Sequence, residues 1–151
     1  MQVIVRQATI GDLDLIAPLF DAYRQFYRKP PDLALAQQFL LERFQHQESV
    51  IFLALDKGGK AVGFVQLFPS FSSGAVARIL ILNDLFVTPD ARRVGVGKLL
   101  LRAAAAYGKA VGAVRLTLST ETTNATAQAL YEVEGWQRQT DFYVYNLALT
   151  L

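Results

Sequence analysis

Leu82-Asn83-Asp84-Leu85-Phe86-Val87-Thr88-Pro89-Asp90-Ala91-Arg92-Arg93-Val94-Gly95-Val96-Gly97-Lys98-Leu99-Leu100-Leu101 reads as a strand, a turn and the start of a helix, and the rest of the chain is arranged around it. Residues 79–87 are almost wholly apolar and are closed by Thr88-Pro89-Asp90, the pattern of a strand buried in a sheet and ended by a turn. After Arg92, Arg93, Gly95 and Gly97, the residues Leu99, Leu100, Ala103, Ala106 and Tyr107 recur at helical spacing. Glycines just before a helix leave its free N–H groups open to approach, and those groups, with the positive end of the helix dipole, favour a bound anion. The two arginines add donors whose fork suits phosphate. The plainer reading is a strand-to-helix turn that uses glycine for its geometry alone.

Two other glycine-rich loops are excluded by spacing. A Walker A loop needs glycine five positions before its Gly-Lys pair and Ser or Thr after it, where this chain has Arg92 and Leu99. A dinucleotide fingerprint needs a third glycine at the place of Leu100. What remains is Val87-x-Pro89-x-x-Arg92-x-x-Gly95-x-Gly97 running into a Leu-rich helix, which resembles the acetyl-CoA-binding motif of the GNAT N-acetyltransferases.

Composition sets the outer limits. With 151 residues and 52% apolar content, one domain over residues 1–151 with a substantial core is expected. A net charge of +2 does not mark a nucleic-acid binder; the excess is local, at Arg92, Arg93, Lys98 and Arg102. Met1-Gln2-Val3-Ile4-Val5-Arg6 lacks the basic start and apolar run of a signal peptide, and no stretch has the length of a membrane span. A cytoplasmic protein with no membrane partner is expected. The absence of cysteine excludes disulfides, thiolate metal sites and a cysteine acyl-enzyme, and the single His46, a surface or cap residue, argues against a zinc cluster. No metal is expected, and acyl transfer would run directly from donor to acceptor.

In chain order, Val3–Arg6 forms a short strand and Thr9-Ile10-Gly11-Asp12 has capping-box spacing. Leu13, Ile16, Phe20, Tyr23 and Tyr27 share a helical face, Pro18 should kink or break that helix, and Pro30-Pro31 stops it. Asp32 can cap a second helix through Leu33, Ala36, Leu40 and Phe44. Val50–Leu55, the turn Asp56–Lys60 and Ala61–Phe68 make an antiparallel hairpin, with Pro69–Ala75 a loop into the strand that starts near Arg78. Gly108 and Gly112 loosen the end of the next helix. Val114–Ser119 is a strand, a helix from about Asn124 to Glu132 ends at Gly135, and Trp136–Gln139 and Phe142–Leu149 are expected to close the sheet. The order is βααβββαβαββ, an α/β (α+β) fold.

A second constellation lies in that last helix. Asn124, followed seven residues later by Tyr131 within Leu-Tyr-x-x-x-Gly-aromatic, resembles the other characteristic GNAT segment. Each part has a plain alternative: Asn124 as a helix N-cap, Gly135 as a C′ residue, Tyr131 as a core aromatic. The resemblance extends over nearly the whole chain. It implies a mixed sheet splayed between residues 79–87 and Val114–Ser119, with acetyl-CoA in the gap as cosubstrate. It implies that Asn124 and Ala127 meet the pantetheine arm and that the Tyr131 hydroxyl meets the CoA sulfur. A sheet edge opened there exposes the backbone of Leu85, Phe86 and Val87 to the pantetheine amides, and the pyrophosphate sits on the N–H groups of Arg93, Val94, Gly95, Val96, Gly97 and Lys98, with Arg92 beside them.

An amine with a pKa near 10.4 must lose a proton before it attacks a thioester, so a base, or water leading to one, is required. A donor near the sulfur assists departure of the thiolate, and Tyr131 is the candidate. Leu82-Asn83-Asp84-x-x-Val87 resembles the Leu-Glu-Asp-x-x-Val of the polyamine-acetylating branch, but the base-position glutamate is Asn83 here, which cannot accept a proton. Asp84, Glu121 and ordered water remain as the base, and strand alternation places Asp84 on the face opposite Asn83. Tyr23, Arg24 and Tyr27, with the Phe68–Ser73 segment, are expected to wall the acceptor, or else to be core aromatics and a solvated arginine. The acceptor is a primary amine of a small molecule or protein; a catalytically silent acyl-CoA sensor of the same fold is the alternative. A homodimer is expected, because Phe142–Leu149 is apolar enough for an end strand that needs covering.

Overall fold

A computed structural model describes residues 2–150, in two compact units that divide between Ser119 and Thr120. The first unit holds β1 (Val3–Gln7), α1 (Leu13–Phe26), α2 (Leu33–Gln45), β2 (Val50–Asp56), β3 (Ala61–Ser72), β4 (Ala77–Val87), α3 (Val96–Ala110) and β5 (Leu116–Thr117). Its sheet runs β1-β2-β3-β4-β5, antiparallel throughout except for the parallel β4–β5 pair. The second unit contains α4 (Ala125–Val133).

Local signals account for most boundaries. The Asp12 carboxylate accepts the Thr9 N–H at 2.8 Å ahead of α1, and Asp32 caps α2 by accepting the Leu35 N–H at 3.0 Å. Asp56 Oδ1 accepts the N–H groups of Gly58 at 3.0 Å and Lys60 at 2.9 Å, which closes the β2–β3 turn around Gly59 at φ 85°. No helix among the described residues is long and apolar enough to cross a membrane.

Four expectations are corrected. Helix α1 is not broken at Pro18, because the bond it forfeits is to the carbonyl of exposed Asp14, which water can reach, while the flanking Ile16, Ala17, Leu19 and Phe20 are buried. Pro69 does not open a loop. It pairs with Leu80 inside β3, past Leu67, where β2 has ended, so its missing N–H faces an edge without a partner strand. Gly108 does not end α3, which runs on to Ala110; it is buried against β5, where a Cβ would lie 2.9 Å from Leu116 Cδ1 and that side chain would have to shift. The closing strands Trp136–Gln139 and Phe142–Leu149 are not strands among the described residues; a strand exists only when paired, and nothing local to these residues supplies a partner.

The sheet is covered on both faces. Ile16, Phe20, Ala36 and Leu40 of α1 and α2 pack on Ile51, Leu53, Phe64 and Phe86. On the opposite face α3 sits so close that a Cβ on Gly63 would meet Leu100 and Val96 side chains at 3.2 and 3.3 Å.

Candidate active site

One irregularity between β3 and β4 builds the site. Gln66 pairs with Asp84 but Leu67 pairs with Leu82, so Asn83 is an extra residue in a β-bulge, and a bulge reverses the strand's alternation. Before it, the Leu80 N–H bonds to the Arg115 carbonyl at 3.2 Å and the Arg78 carbonyl accepts the Val114 N–H at 2.9 Å, so even-numbered residues aim their peptide groups at β5. After it, the Thr88 N–H bonds to the Val62 carbonyl at 2.9 Å, so even-numbered residues face β3 and those of Leu85 and Val87 face the other edge. There β5 has diverged, since pairing ends at Ile81 with Thr117. The sheet is therefore splayed as expected. Phe86 differs from the expectation for this edge: it pairs with Phe64, so its peptide groups belong to the sheet.

The bulge also changes where side chains go. Regular alternation would put Asn83 and Asp84 on opposite faces; instead Asn83 Nδ2 donates to Asp84 Oδ1 at 2.9 Å, and both residues line one cavity of about 300 Å³. Phe20, Tyr23 and Arg24 of α1 and its C-cap Tyr27 wall it, at the 3–4–7 spacing that puts residues on one helix face. Phe39, Phe68 and Lys29 complete the wall, and Gln66 joins Asp84 in its floor. The Tyr23 hydroxyl donates to the Asn83 carbonyl at 3.2 Å, and its ring stacks on Phe20 with centroids 6.2 Å apart.

Asp84 is 2% exposed. Burial pushes its carboxyl above the ordinary carboxylate value, opposed by hydrogen bonds from Gln66, Asn83 and Tyr23, which favour the anion. Gln66 Nε2 donates to Asp84 Oδ2, and Gln66 Oε1 is left buried with no hydrogen-bond partner, as is Arg24 Nη1. Gln66 escaped the sequence reading. The available signal was a lone amide inside the apolar run Val62–Phe68.

At the loop before α3, Arg93 has φ 66° and Gly95 φ 88°, and the helix starts at Val96. Its first internal bond is from the Leu99 N–H to the Gly95 carbonyl at 3.1 Å, so the N–H groups of Val96, Gly97 and Lys98 have no acceptor within the helix. Val94 and Arg93 are exposed there. Arg92 is partly committed elsewhere: Nε donates to the Val87 carbonyl at 2.9 Å, and the guanidinium lies 5.7 and 5.6 Å from the rings of Phe26 and Phe86. A strand edge without a partner strand and a cluster of helix N–H groups without an acceptor in the helix fit a ligand with amides and a pyrophosphate.

Within the second unit, Asn124 Oδ1 accepts the Ala127 N–H at 3.2 Å and so caps α4. Tyr131 is half-buried against Trp136, with ring centroids 6.0 Å apart. Glu121 precedes α4, and its carbonyl accepts from Gln128 Nε2 at 3.1 Å. The described residues include no cluster of potential metal ligands.

Residues 16–136 match the family described as acetyltransferase (GNAT). The chain belongs to the GNAT family. It is 49% identical over 143 residues to "Uncharacterized N-acetyltransferase YhfO" of Bacillus subtilis (strain 168), covering 95% of each chain. It is 33% identical to a "Probable acetyltransferase" of Haemophilus influenzae, over 92% of this chain and 93% of that one. A crystal structure of a probable acetyltransferase matches with a TM-score of 0.91 at 41% identity, covering 99% of both chains. The chain is thus an N-acetyltransferase, and GNAT enzymes draw their acetyl group from acetyl-CoA.

Proposed function

We propose that this GNAT enzyme moves the acetyl group of acetyl-CoA directly to a primary amine seated in the cavity beside Asp84. The observation that carries this reading is the Asn83 bulge, which brings Asp84 to the cavity while β4 has no partner strand on its other edge at Leu85 and Val87. On this reading acetyl-CoA supplies an activated thioester. The peptide groups of Leu85 and the N–H of Val87 face its pantetheine arm, and the loop from Arg93 to Lys98 holds its pyrophosphate, with Arg92 pinning the end of the strand through the Val87 carbonyl.

Asp84 removes the proton from the attacking amine. A carboxyl whose affinity for protons is raised by burial suits that role better than an exposed one, and Asp84 lines the cavity. As the C–N bond forms, the carbonyl electrons move to oxygen; they return as the C–S bond breaks, and the thiolate takes a proton. Tyr131 is assigned as that donor by the family motif it stands in. Thiol release with acetyl-CoA across a panel of amines tests the proposal: one or more amines should support turnover and gain an acetyl mass. An acetyl-CoA-binding protein that acetylates no amine is the sensor of the alternative reading.

We also infer a homodimer. Phe142, Tyr143, Val144, Tyr145, Leu147 and Leu149 are at least 75% exposed, an apolar run rich in strand-forming residues that a second copy would cover.

A further inference from the structure

Two side chains that line the cavity beside Asp84, Gln66 and Arg24, each carry a buried polar atom without a partner. Gln66 is fully buried and its Oε1 has no partner, while its Nε2 is committed to Asp84, which fixes which way the amide points. Arg24 Nη1 is buried without a partner, and Lys29 lines the same cavity. An unmet buried polar atom is costly, so the pair marks what a ligand should bring: a donor for Gln66 and Asp84, and an acceptor for Arg24. The remaining walls, Phe20, Tyr23, Tyr27, Phe39 and Phe68, offer apolar and aromatic surface.

Resting on the reading that this cavity receives the acetyl acceptor, we propose that the acceptor is an amino acid with an apolar side chain. Its amine is held by Asp84 and Gln66 Oε1, its carboxylate by Arg24 and Lys29, and its side chain by the aromatic walls. Charge argues against the competing amines. Among the described residues of the first unit, Asp84 is the one acid in the lining, so a polyamine would bring its second cation against Arg24 and Lys29, and a polycationic sugar would find no second carboxylate on these walls.

The test compares phenylalanine and leucine with phenethylamine, which lacks the carboxylate, and with spermidine, in the wild type, Arg24→Gln and Lys29→Gln. Retained acetyl-CoA binding shows that each variant is folded. Thiol release is read beside calorimetry of phenylalanine binding in the presence of CoA. Expected is a kcat/KM for phenylalanine at least tenfold above those of phenethylamine and spermidine. Arg24→Gln should shrink that ratio at least tenfold, mostly through KM, and weaken phenylalanine binding; Lys29→Gln should do so to a smaller degree. If phenethylamine or spermidine is acetylated as well as phenylalanine, or Arg24→Gln leaves the ratio unmoved, the amino-acid assignment falls while the acetyltransferase reading stands. If phenylalanine binds in an Arg24-dependent way but no amine is acetylated, the amino-acid pocket stands and the reading of the reaction falls. Absence of both binding and turnover overturns both.

Discussion

Asp84 is where stability and chemistry oppose each other. Its carboxyl binds a proton more tightly when folded than when unfolded, because burial outweighs the hydrogen bonds that favour the anion. The folded protein therefore holds more protons than the unfolded chain between the ordinary carboxylate pKa and the raised one, and stability falls as pH rises through that window. Asp84→Asn removes this penalty. The variant should match or exceed the wild type in denaturant midpoint at pH 7, with the gap narrowing toward the ordinary carboxylate pKa, while kcat falls by about 10²- to 10⁴-fold if Asp84 is the base. Urea melts at several pH values and steady-state rates check both halves, and a variant with wild-type kcat would leave water or Glu121 as the base. Tyr131→Phe keeps the ring against Trp136 and removes only the hydroxyl. As the proposed donor, its loss should lower kcat by roughly ten- to a thousandfold with little change in acetyl-CoA affinity. That deficit should shrink for an acetyl thioester of a more acidic thiol, whose departure needs no proton.

At the scale of elements, the loop into α3 has two glycines with different tasks. Gly95 stands at φ 88°, a conformation that disfavours any side chain by about 1–2 kcal/mol, whereas Gly97 lies inside the first turn and keeps its N–H approachable. Gly95→Asp should therefore lower both stability and acetyl-CoA affinity, and Gly97→Asp chiefly affinity, by crowding the backbone and setting a negative charge against the pyrophosphate. Thermal melts with calorimetry separate the two, and unchanged affinity in both variants would remove the anion-site assignment. The β4 bulge is the other decisive element. It gives one strand a paired half and an open half, and the same extra residue turns Asp84 toward the helices α1 and α2.

For the whole molecule, the prediction is association. Light scattering at working concentration should return twice the mass of the chain, and Val144→Asp with Leu147→Asp should reduce it if the exposed run is what pairs. A monomer for the unaltered chain would reject the homodimer. The enzyme class stands independently of that outcome, since it rests on the family match over residues 16–136 and on relatives aligned over nearly the whole chain.

Sequence by itself determined whatever depends on near neighbours: the caps at Asp12 and Asp32, the Asp56–Lys60 turn, the helices, and the Arg92–Lys98 loop that led to the family. Those signals operate within one or two turns of chain, where spacing translates directly into geometry. Only the tertiary structure decided the rest. The bulge at Asn83 arises from how β4 registers against β3, and neighbouring residues cannot specify a register set by a strand some twenty positions away. From it follow the shared cavity of Asn83 and Asp84, the place of Gln66 beneath them, and the use of Phe86 within the sheet. Arg92 likewise divides its groups between a strand carbonyl and two rings because folding brings them there, and the Phe142–Leu149 run shows the converse: strand-forming residues make no strand until a partner edge is supplied.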